Sequence, residues 1–208
     1  MIPAHDCSLC PRLVAYRAAN RVALPDAFNG PVPSFGPLSA RLLVVGQAPG
    51  VNGANRTGRP FTGDVAGRLL YATLVQTGFA SGTYAERADD GLTLHDCRIT
   101  NAVRCAPPHH KLETPEIHAC RPFLAQEIAA MPHLRVYLSI GGEPHEAILR
   151  VLGLKPSAYK FAHGAKHQLP NGQILADSFH TSQYNVNTRR LTPEMFAQVV
   201  TSIRMLLG

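Results

Sequence analysis

The sequence lacks the segments that direct a protein into a membrane or out of the cell. No apolar run in its 208 residues approaches the ~20 residues that a membrane-spanning helix needs. The first residues also lack the basic and apolar regions of a signal peptide. Tryptophan is absent, which decides nothing about function. We therefore expect a cytoplasmic protein that has no contact with a membrane.

Cysteine is scarce, and its odd count argues against a framework of disulfides. The chain has five cysteines and no export signal, so its thiols are expected to be reduced. Cys7 and Cys10 form a CxxC motif, Cys105 follows a strand-like run, and Cys120 lies in a helical stretch. Four thiolates from two distant pairs suit zinc or an iron–sulfur cluster, and spacing does not choose between them. In the alternative interpretation Cys10, Cys97 and Cys120 are small core residues and Cys7 is incidental; Cys97 is expected to be an ordinary core cysteine.

Acidic side chains are outnumbered by basic ones. The chain has 14 Asp and Glu against 20 Lys and Arg, which gives a formal net charge of +6. Such a surface suits an anionic partner, although proteins that bind no nucleic acid often carry a similar charge. Hydrophobic residues make up 45% of the chain, enough for one full core. With no repeat or linker visible, we predict a single domain over residues 1–208.

Strand-like and helix-like segments alternate along the chain. The predicted strands cover residues 42–45, 97–103, 134–140 and 173–179. The predicted helices cover 11–20, 65–75, 114–131, the stretch from the turn at 141–142 to about 152, and the C-terminal stretch opened by Thr192. This alternation predicts an α/β fold, a three-layer domain with about four mostly parallel strands and helices on both faces.

Local signals fix several turns and helix starts. Asp64 and Thr114 have the character of N-caps, and Pro115 fits the first turn of the helix that follows Thr114. Residues 170–172 (Pro-Asn-Gly) are typical of a hairpin turn before the last strand.

A loop rich in glycine and proline leaves the first predicted strand. Residues 46–63 hold five glycines, two prolines and two arginines, and a helix begins directly after Asp64. In open α/β sheets, ligands bind where such loops leave the carboxyl ends of the strands. Long loops in compact domains are usually functional or disordered. The loop therefore indicates a binding site, the alternative being an ordinary surface loop.

Polar side chains follow several of the predicted strands. Gln47 and Asp64 follow the first strand, Asn101 lies near the end of the second, and His180 follows the last. A parallel sheet brings these ends to one edge, where Phe61 of the glycine-rich loop would join them. An active site is one interpretation of this set. Each residue also has an ordinary one, as a helix cap, a turn cap or a structural histidine.

Three blocks of sequence carry a family resemblance. They are 46–50 (Gly-Gln-Ala-Pro-Gly) with 55–64, 100–108 with 120–124, and 180–182 with 185–192. The chain resembles the iron–sulfur uracil-DNA glycosylases, most closely the branch called family 5 or type B. The blocks span almost the whole chain in the family's order. The runs Asn-Arg-Thr-Gly-Arg and Asn-Val-Asn-Thr are specific to that branch, whereas a short GxAPG alone would be a weak signal.

The resemblance implies an enzyme that removes uracil and other deaminated or damaged bases from DNA. It implies that Cys7, Cys10, Cys105 and Cys120 hold a 4Fe-4S cluster of structural role. The expected partner is DNA that contains such bases, and we expect the protein to act as a monomer.

The resemblance also assigns the binding of the base. Phe61 matches the aromatic residue that stacks on the flipped base, Asn101 the amide that reads its pyrimidine edge, and His180 the histidine that faces its O2. Backbone N–H groups after Gly46, at Gln47 and Ala48, are further donors to the base oxygen.

Catalytic roles are expected at three positions, His180, Asp64 and Gln47. We expect His180 to stabilise the leaving base, while Asp64 orients water and stabilises the cationic sugar. Gln47 stands where the type A branch has Glu and type B usually has an apolar residue. Its amide can hold a water but cannot take the proton.

A further set is expected to contact DNA. Tyr184 lies where the superfamily places the wedge that fills the gap left by the flipped nucleotide. Phosphate contacts are expected from basic side chains, with the neighbouring Asn185 in the same block. The basic residues are Arg56, Arg59, Arg189 and Arg190. The alternative for each arginine is a solvated surface charge.

Two further positions depart from the family pattern. Thr181 stands where the histidine loop usually has Pro, and His110 where type B members often have Asn. A second interpretation of the chain is a module that is stabilised by a bound metal and binds nucleic acid without catalysis. A third is a nucleotide-binding α/β enzyme, which is disfavoured because the loop has neither a P-loop Lys-Ser/Thr nor GxGxxG spacing.

Overall fold

A five-stranded sheet forms the middle layer of the protein, which a computed structural model describes over residues 3–208. In chain order the strands are β1 (Leu42–Gly46), β2 (Ala80–Ser81), β3 (Thr93–Leu94), β4 (Cys97–Asn101), β5 (Val136–Ile140), β6 (Lys166–Gln168) and β7 (Ile174–Ser178). The central sheet has the order β4-β1-β5-β7-β6, and β2 pairs with β3 in a separate ribbon.

The sheet is parallel except at one edge. β1 pairs in parallel with β4 and β5, β5 pairs in parallel with β7, and β6 runs antiparallel to β7. In the β1–β4 register, Leu42 lies opposite Cys97 and Gly46 lies opposite Asn101. The carboxyl ends of β1 and β4 are therefore level, which places the residues that follow them side by side.

Helices cover both faces of the sheet. In chain order they are α1 (Pro11–Ala23), α2 (Ala54–Thr57), α3 (Val65–Gln76), α4 (Thr114–Ala129), α5 (Gly142–Val151), α6 (Gln183–Asn187) and α7 (Pro193–Leu207). Alternate residues of β1 point to opposite faces. Val44 packs with the core cluster of α3 and α7, whereas Leu43 and Val45 pack with that of α4 and α5. The predicted three-layer α/β fold is confirmed.

Predicted helix starts agree with the structure except at α4. The Asp64 side chain caps α3, accepting a hydrogen bond from the Gly67 backbone N–H at 3.1 Å, and Thr192 caps α7. The predicted N-cap Thr114 is wrong by one residue, because Glu113 is the N-cap. The Glu116 carboxylate accepts from the backbone N–H of Glu113 at 2.8 Å, and this bond sets the boundary.

The sequence does not predict three short strands, β2, β3 and β6, or the two short helices α2 and α6. The 170–172 turn does close a hairpin, but its first strand, β6, has only three residues, and β2 and β3 have two each. The sheet thus has five strands where about four were expected. Within residues 3–208, no helix combines the length and the apolar character needed to cross a membrane.

Candidate active site

A cleft of about 660 Å³ opens where β1, β4 and β7 end. It brings together all of the polar and aromatic side chains that the sequence placed at this edge of the sheet. They are Gln47, Phe61, Asp64, Asn101 and His180. Ala48, His110 and Tyr184 also line the cleft. Parallel strands and the loop after β1 therefore build one site from segments far apart in the chain.

Gly46, at the end of β1, packs closely against two residues that line the cleft. A Cβ added to it would lie 2.4 Å from Oδ1 of Asn101 and 2.6 Å from Cζ of Phe61. Both distances are far below ordinary van der Waals contact. Glycine at the end of β1 therefore allows the amide and the aromatic ring to approach the same backbone atom.

Phe61 has an uncommon backbone conformation. Its φ is +51°, in the left-handed region, and its side chain is almost entirely buried. Such a conformation costs a residue with a side chain about 1–3 kcal/mol and persists only where surrounding contacts enforce it. Its ring lies 6.3 Å from the His180 ring, centroid to centroid, with the planes tilted by 32°. A flat apolar surface thus faces the polar groups of the cleft.

His180 follows β7 and is half-buried. Burial lowers its pKa below the ordinary value, although the charges of Asp64 and Glu143 oppose this change. The ring is therefore neutral at neutral pH and can still donate one hydrogen bond. The Asn185 side chain donates a hydrogen bond to the backbone carbonyl of His180 at 2.8 Å, which fixes the histidine backbone against α6.

Asp64 serves two purposes with its two carboxylate oxygens. Oδ1 accepts from the Gly67 N–H, so the ordinary interpretation as a helix cap is correct. Oδ2 lies against the glycine-rich loop, where a Cβ on Gly53 would come within 2.2 Å of it. The half-buried carboxylate also lines the cleft. Capping therefore positions Asp64 and does not exclude it from chemistry.

The loop after β1 is tied to the chain that leaves β4. The carbonyl of Gly46 accepts from Ala102 N–H at 2.8 Å, and that of Gln47 accepts from Val103 N–H at 2.9 Å. These two hydrogen bonds continue the pairing of β1 with β4 past the ends of the two strands. They fix the backbone from which the side chains of Gln47 and Ala48 reach the cleft.

The predicted DNA contacts divide into exposed and buried residues. Tyr184 has 71% of its surface exposed at the rim of the cleft. Arg56, Arg189 and Arg190 are also exposed. The guanidinium carbon of Arg190 lies 4.7 Å from the centre of the Phe179 ring, a cation–π contact that holds the arginine close to the His180 loop.

The structure corrects the expectation for Arg59 and Asn185. Arg59 is 4% exposed. Its guanidinium donates two hydrogen bonds of 2.7 Å to the buried carboxylate of Asp90. Asn185 is 9% exposed, and its amide is bound to His180. Neither side chain is presented to a phosphate, because each is held inside the protein by a specific partner.

The four expected metal ligands line a second, mostly apolar pocket. Cys7, Cys10, Cys105 and Cys120 converge there from the N-terminus, from the segment after β4 and from α4. Arg17 donates to the Cys105 sulfur at 3.6 Å, and the Arg104 backbone N–H donates to the Cys120 sulfur at 3.4 Å. By contrast, Cys97 is fully buried in the hydrophobic core, as predicted.

The sulfurs of this pocket are not gathered as closely as the four ligands of a single zinc ion would be. Within residues 3–208, no three of the cysteine sulfurs lie within 4.8 Å of one another. Four thiolates around one zinc ion would be about 3.8 Å apart, given a Zn–S distance of about 2.3 Å. Burial raises the pKa of Cys10 and of Cys105 to about 11, so a bound metal must displace their protons.

Some residues of the site were not found from the sequence. Ser182 and Gln183 line the cleft beside Tyr184. Tyr84, in a polar stretch without periodicity, donates a hydrogen bond to the backbone carbonyl of Phe61 at 3.1 Å. No sequence signal indicated Tyr84, because its partner lies 23 residues away in a loop.

Comparisons with known proteins agree on one family. Residues 33–204 match the model of the uracil DNA glycosylase superfamily. A "Type-5 uracil-DNA glycosylase" of Thermus thermophilus is 45% identical, covering 97% of this chain and 94% of the relative. The protein of the same name from Pyrobaculum aerophilum is 38% identical, with 94% and 86% covered. A "Type-4 uracil-DNA glycosylase" of Saccharolobus solfataricus is 36% identical, with 81% and 74% covered.

Proposed function

The chain belongs to the uracil DNA glycosylase superfamily, and we propose that it is a uracil-DNA glycosylase of the type-5 kind. It is a monofunctional hydrolase that removes uracil from DNA by cleaving the N-glycosidic bond and leaves an abasic site. Its substrate is DNA that contains uracil, and we extend this to other deaminated or damaged bases. We also propose that it acts as a monomer in the cytoplasm.

The convergence of Phe61, Asn101 and His180 in one cleft carries the proposal. A module that only bound nucleic acid through basic side chains would not need a ring face, an amide and a half-buried neutral imidazole around one cavity. That arrangement suits an extracted base, with one group for its face and two for its polar edges.

Base recognition comes first in the mechanism. A base in a duplex must be turned out of the stack, at a cost of a few kcal/mol. The ring of Phe61 provides a face on which the base stacks. The carboxamide of Asn101, with both a donor and an acceptor, pairs with the polar edge of a pyrimidine. Because Gly46 has no side chain, both groups reach the same base.

His180 then stabilises the departing base. Cleavage leaves negative charge on the base, and a donor aimed at its oxygen lowers the barrier. Since burial lowers the pKa of His180, the histidine donates as a neutral imidazole. The hydrogen bond from the Asn185 side chain to the backbone carbonyl of His180 holds the histidine in place before the base binds. Backbone N–H groups of Gln47 and Ala48 are proposed to add to this stabilisation.

Asp64 acts on the sugar side of the bond. Cleavage leaves cationic character on the sugar, and the carboxylate stabilises this charge and orients the attacking water. One oxygen is fixed by the Gly67 N–H, so the carboxylate has a defined orientation. Gln47 can hold a water through its amide but cannot accept a proton from it.

We propose that Cys7, Cys10, Cys105 and Cys120 hold a 4Fe-4S cluster. The spacing of the sulfurs, wider than one zinc ion requires, supports a cluster. Such a group, when bound, supplies a cross-link between the N-terminus, the segment after β4 and α4. Arg17 and Arg104 direct N–H groups to two of the sulfurs, a typical environment of bound thiolates.

The exposed residues around the cleft form the proposed DNA surface. Tyr184 at the rim is the candidate wedge, because it is exposed next to the cleft that receives the base. Arg56, Arg189 and Arg190 are candidates for phosphate contacts, which position DNA without reading its sequence.

A panel of oligonucleotides tests the function. Duplexes that each contain one uracil, another deaminated base or an undamaged base are incubated with the protein, and alkali then cleaves abasic sites. We expect cleavage at uracil and none in the undamaged control. Binding without cleavage on every duplex would favour the non-catalytic module instead. An Asn101→Ala variant serves as the control for a contaminating glycosylase.

A further inference from the structure

The segment that carries Phe61 is held from one side by the loop between β2 and β3. Residues 82–92 form this loop, which we call the 82–92 loop. Its Asp90 carboxylate is fully buried and accepts from the Ala85 and Leu92 backbone N–H groups at 2.9 and 3.1 Å. Asp90 thus links two positions of the 82–92 loop to each other, in addition to its contact with Arg59.

Arg59 links the 82–92 loop to the Phe61 segment. Its guanidinium makes two bonds of 2.7 Å to Asp90, while its Nε donates to Thr62 Oγ1 at 2.8 Å. The guanidinium also lies 5.2 Å from the ring centre of Tyr71 and 5.7 Å from that of Tyr84. Three of the five N–H groups of this cation are donated within the protein, and only 4% of Arg59 is exposed, so the side chain is not presented to DNA.

Two tyrosine hydroxyls fix the backbone on either side of the stacking residue. Tyr71 donates to the carbonyl of Pro60 at 2.6 Å. Tyr84 donates to the carbonyl of Phe61 at 3.1 Å and accepts from the N–H of Gly63 at 3.3 Å. The two rings are stacked with centroids 4.7 Å apart. The backbone at Pro60, Phe61 and Gly63 is thereby bound to two packed rings.

Gly67 allows this approach. A Cβ there would lie 1.7 Å from the Phe61 carbonyl oxygen and 2.5 Å from the Tyr84 hydroxyl. The Phe61 carbonyl can meet the Tyr84 hydroxyl only because the neighbouring turn of α3 has no side chain at this point. These contacts explain how Phe61 is held at a positive φ.

We propose that Tyr84, with the Arg59–Asp90 pair behind it, is a positioning residue for uracil excision that acts through Phe61. Tyr84 holds the Phe61 backbone in its left-handed conformation, so that the ring lies over Gly46 and faces the base. This inference rests on the proposed function. It gives Arg59 a role in base binding, in place of the phosphate contact that its sequence motif suggested.

A double-mutant cycle tests the proposal. Tyr84→Phe removes one hydroxyl and leaves the ring stack in place, and Phe61→Leu removes the ring that the hydroxyl is proposed to position. Single-turnover excision is measured on one uracil-containing duplex, with enzyme in excess, for the wild type, both single variants and the double variant. A residue that acts through Phe61 has no effect once the ring is gone.

We expect Tyr84→Phe to slow excision about five- to tenfold in the wild-type background, the effect of one ordinary hydrogen bond. In the Phe61→Leu background it should slow excision less than about twofold. Equal factors in both backgrounds, or no effect in the wild type, would overturn the inference. Absence of excision by the wild type would instead contradict the proposed function, so the two failures are distinguishable.

Matched variants separate positioning from general stability. Tyr137 donates a partly buried hydrogen bond to Gln173 at 2.6 Å, outside the cleft. Tyr137→Phe should lower the melting temperature without slowing excision in either background. Thr62→Val keeps the side-chain shape but removes the acceptor for Arg59, and should slow excision in the wild-type background only. If Tyr137→Phe reduces excision as much as Tyr84→Phe does, the role of Tyr84 is merely structural.

Discussion

Asn101 and Phe61 meet over the Cα of Gly46, although 40 residues separate them in the chain. The first lies at the end of β4 and the second in the loop that leaves β1. The parallel register brings Asn101 beside Gly46, and the glycine-rich loop returns Phe61 to the same point. The amide proposed to bind the edge of the base and the ring proposed to stack on its face thus lie beside the same backbone atoms.

We expect Gly46→Ala to reduce single-turnover excision by at least about 10²-fold, because the new methyl group would displace both the amide and the ring. Gly50→Ala is the matched control. Its Cβ would lie 3.5 Å from Asp64 Oδ2, an ordinary contact, so it should retain most of the activity. Similar rates for the two alanine variants would show that the close approach over Gly46 is not needed.

The catalytic roles predict an order among three substitutions. Loss of a donor at a developing anion typically costs about 10²–10³ in rate. His180→Ala and Asp64→Asn should therefore each slow excision at least about 10²-fold, and Gln47→Ala clearly less. Asparagine is also a good N-cap, so Asp64→Asn removes charge without removing the start of α3. Excision from one uracil duplex checks the order, and the assignment of Asp64 is wrong if Gln47→Ala is the most damaging.

The half-buried His180 gives a pH prediction. Burial lowers the pKa of His180, so its ring is already neutral at pH 7 and loses no proton when the pH rises. The excision rate with enzyme in excess should stay constant from about pH 7 to 9, a range above the ordinary histidine pKa of about 6.5. A tenfold fall in rate per pH unit across this range would indicate that a charged imidazole is required.

Tyr184, exposed at the rim of the cleft, should contribute most to excision where turning the base out of the duplex costs most. Tyr184→Ala should slow excision more from a U·A pair than from a U·G mismatch or a single strand, since unpaired uracil flips at lower cost. Tyr16→Ala on α1 is the control for loss of a tyrosine outside the cleft. Equal losses on all three substrates would contradict a wedge role.

Metal content tests the cysteine pocket. Protein purified after growth with ample iron should be brown, and Cys7→Ser and Cys105→Ser should lose both the colour and the bound iron. Cys97→Ala should keep them, because Cys97 packs in the core away from the pocket. Alanine is preferred there, since a serine hydroxyl would be buried in an apolar cluster. Stoichiometric zinc in the wild type would overturn the cluster assignment.

The parts of the fold that follow from the sequence are those with strong local signals. The continuous apolar run of β1 and the Asp64 cap of α3 are readable because neighbouring residues decide them. β6 was missed because its residues, Lys-His-Gln, are polar and form a strand only by pairing with β7. A short edge strand depends on its partner, which local patterns do not contain.

The same limit applies to the site. Asn101 lies near the end of one predicted strand and His180 follows another, so a parallel sheet was enough to bring them together. Arg59 was assigned to the surface because nothing in its own segment indicates a buried partner. Asp90 lies 31 residues further along, in a stretch without periodicity. Charge alone does not distinguish a phosphate contact from one half of a buried ion pair.

The antiparallel strand β6 also affects whether two copies of the protein associate through the edges of their sheets. An open parallel sheet leaves a row of unpaired backbone groups at its edge, which another chain can use to extend the sheet. Beyond β7 the sheet ends in only three residues, and the first of them is the exposed Lys166. At the other edge, Phe35 bridges to Ile99 and occupies part of β4. Neither edge offers a long apolar template, which should keep the folded protein from aggregating by strand addition at high concentration.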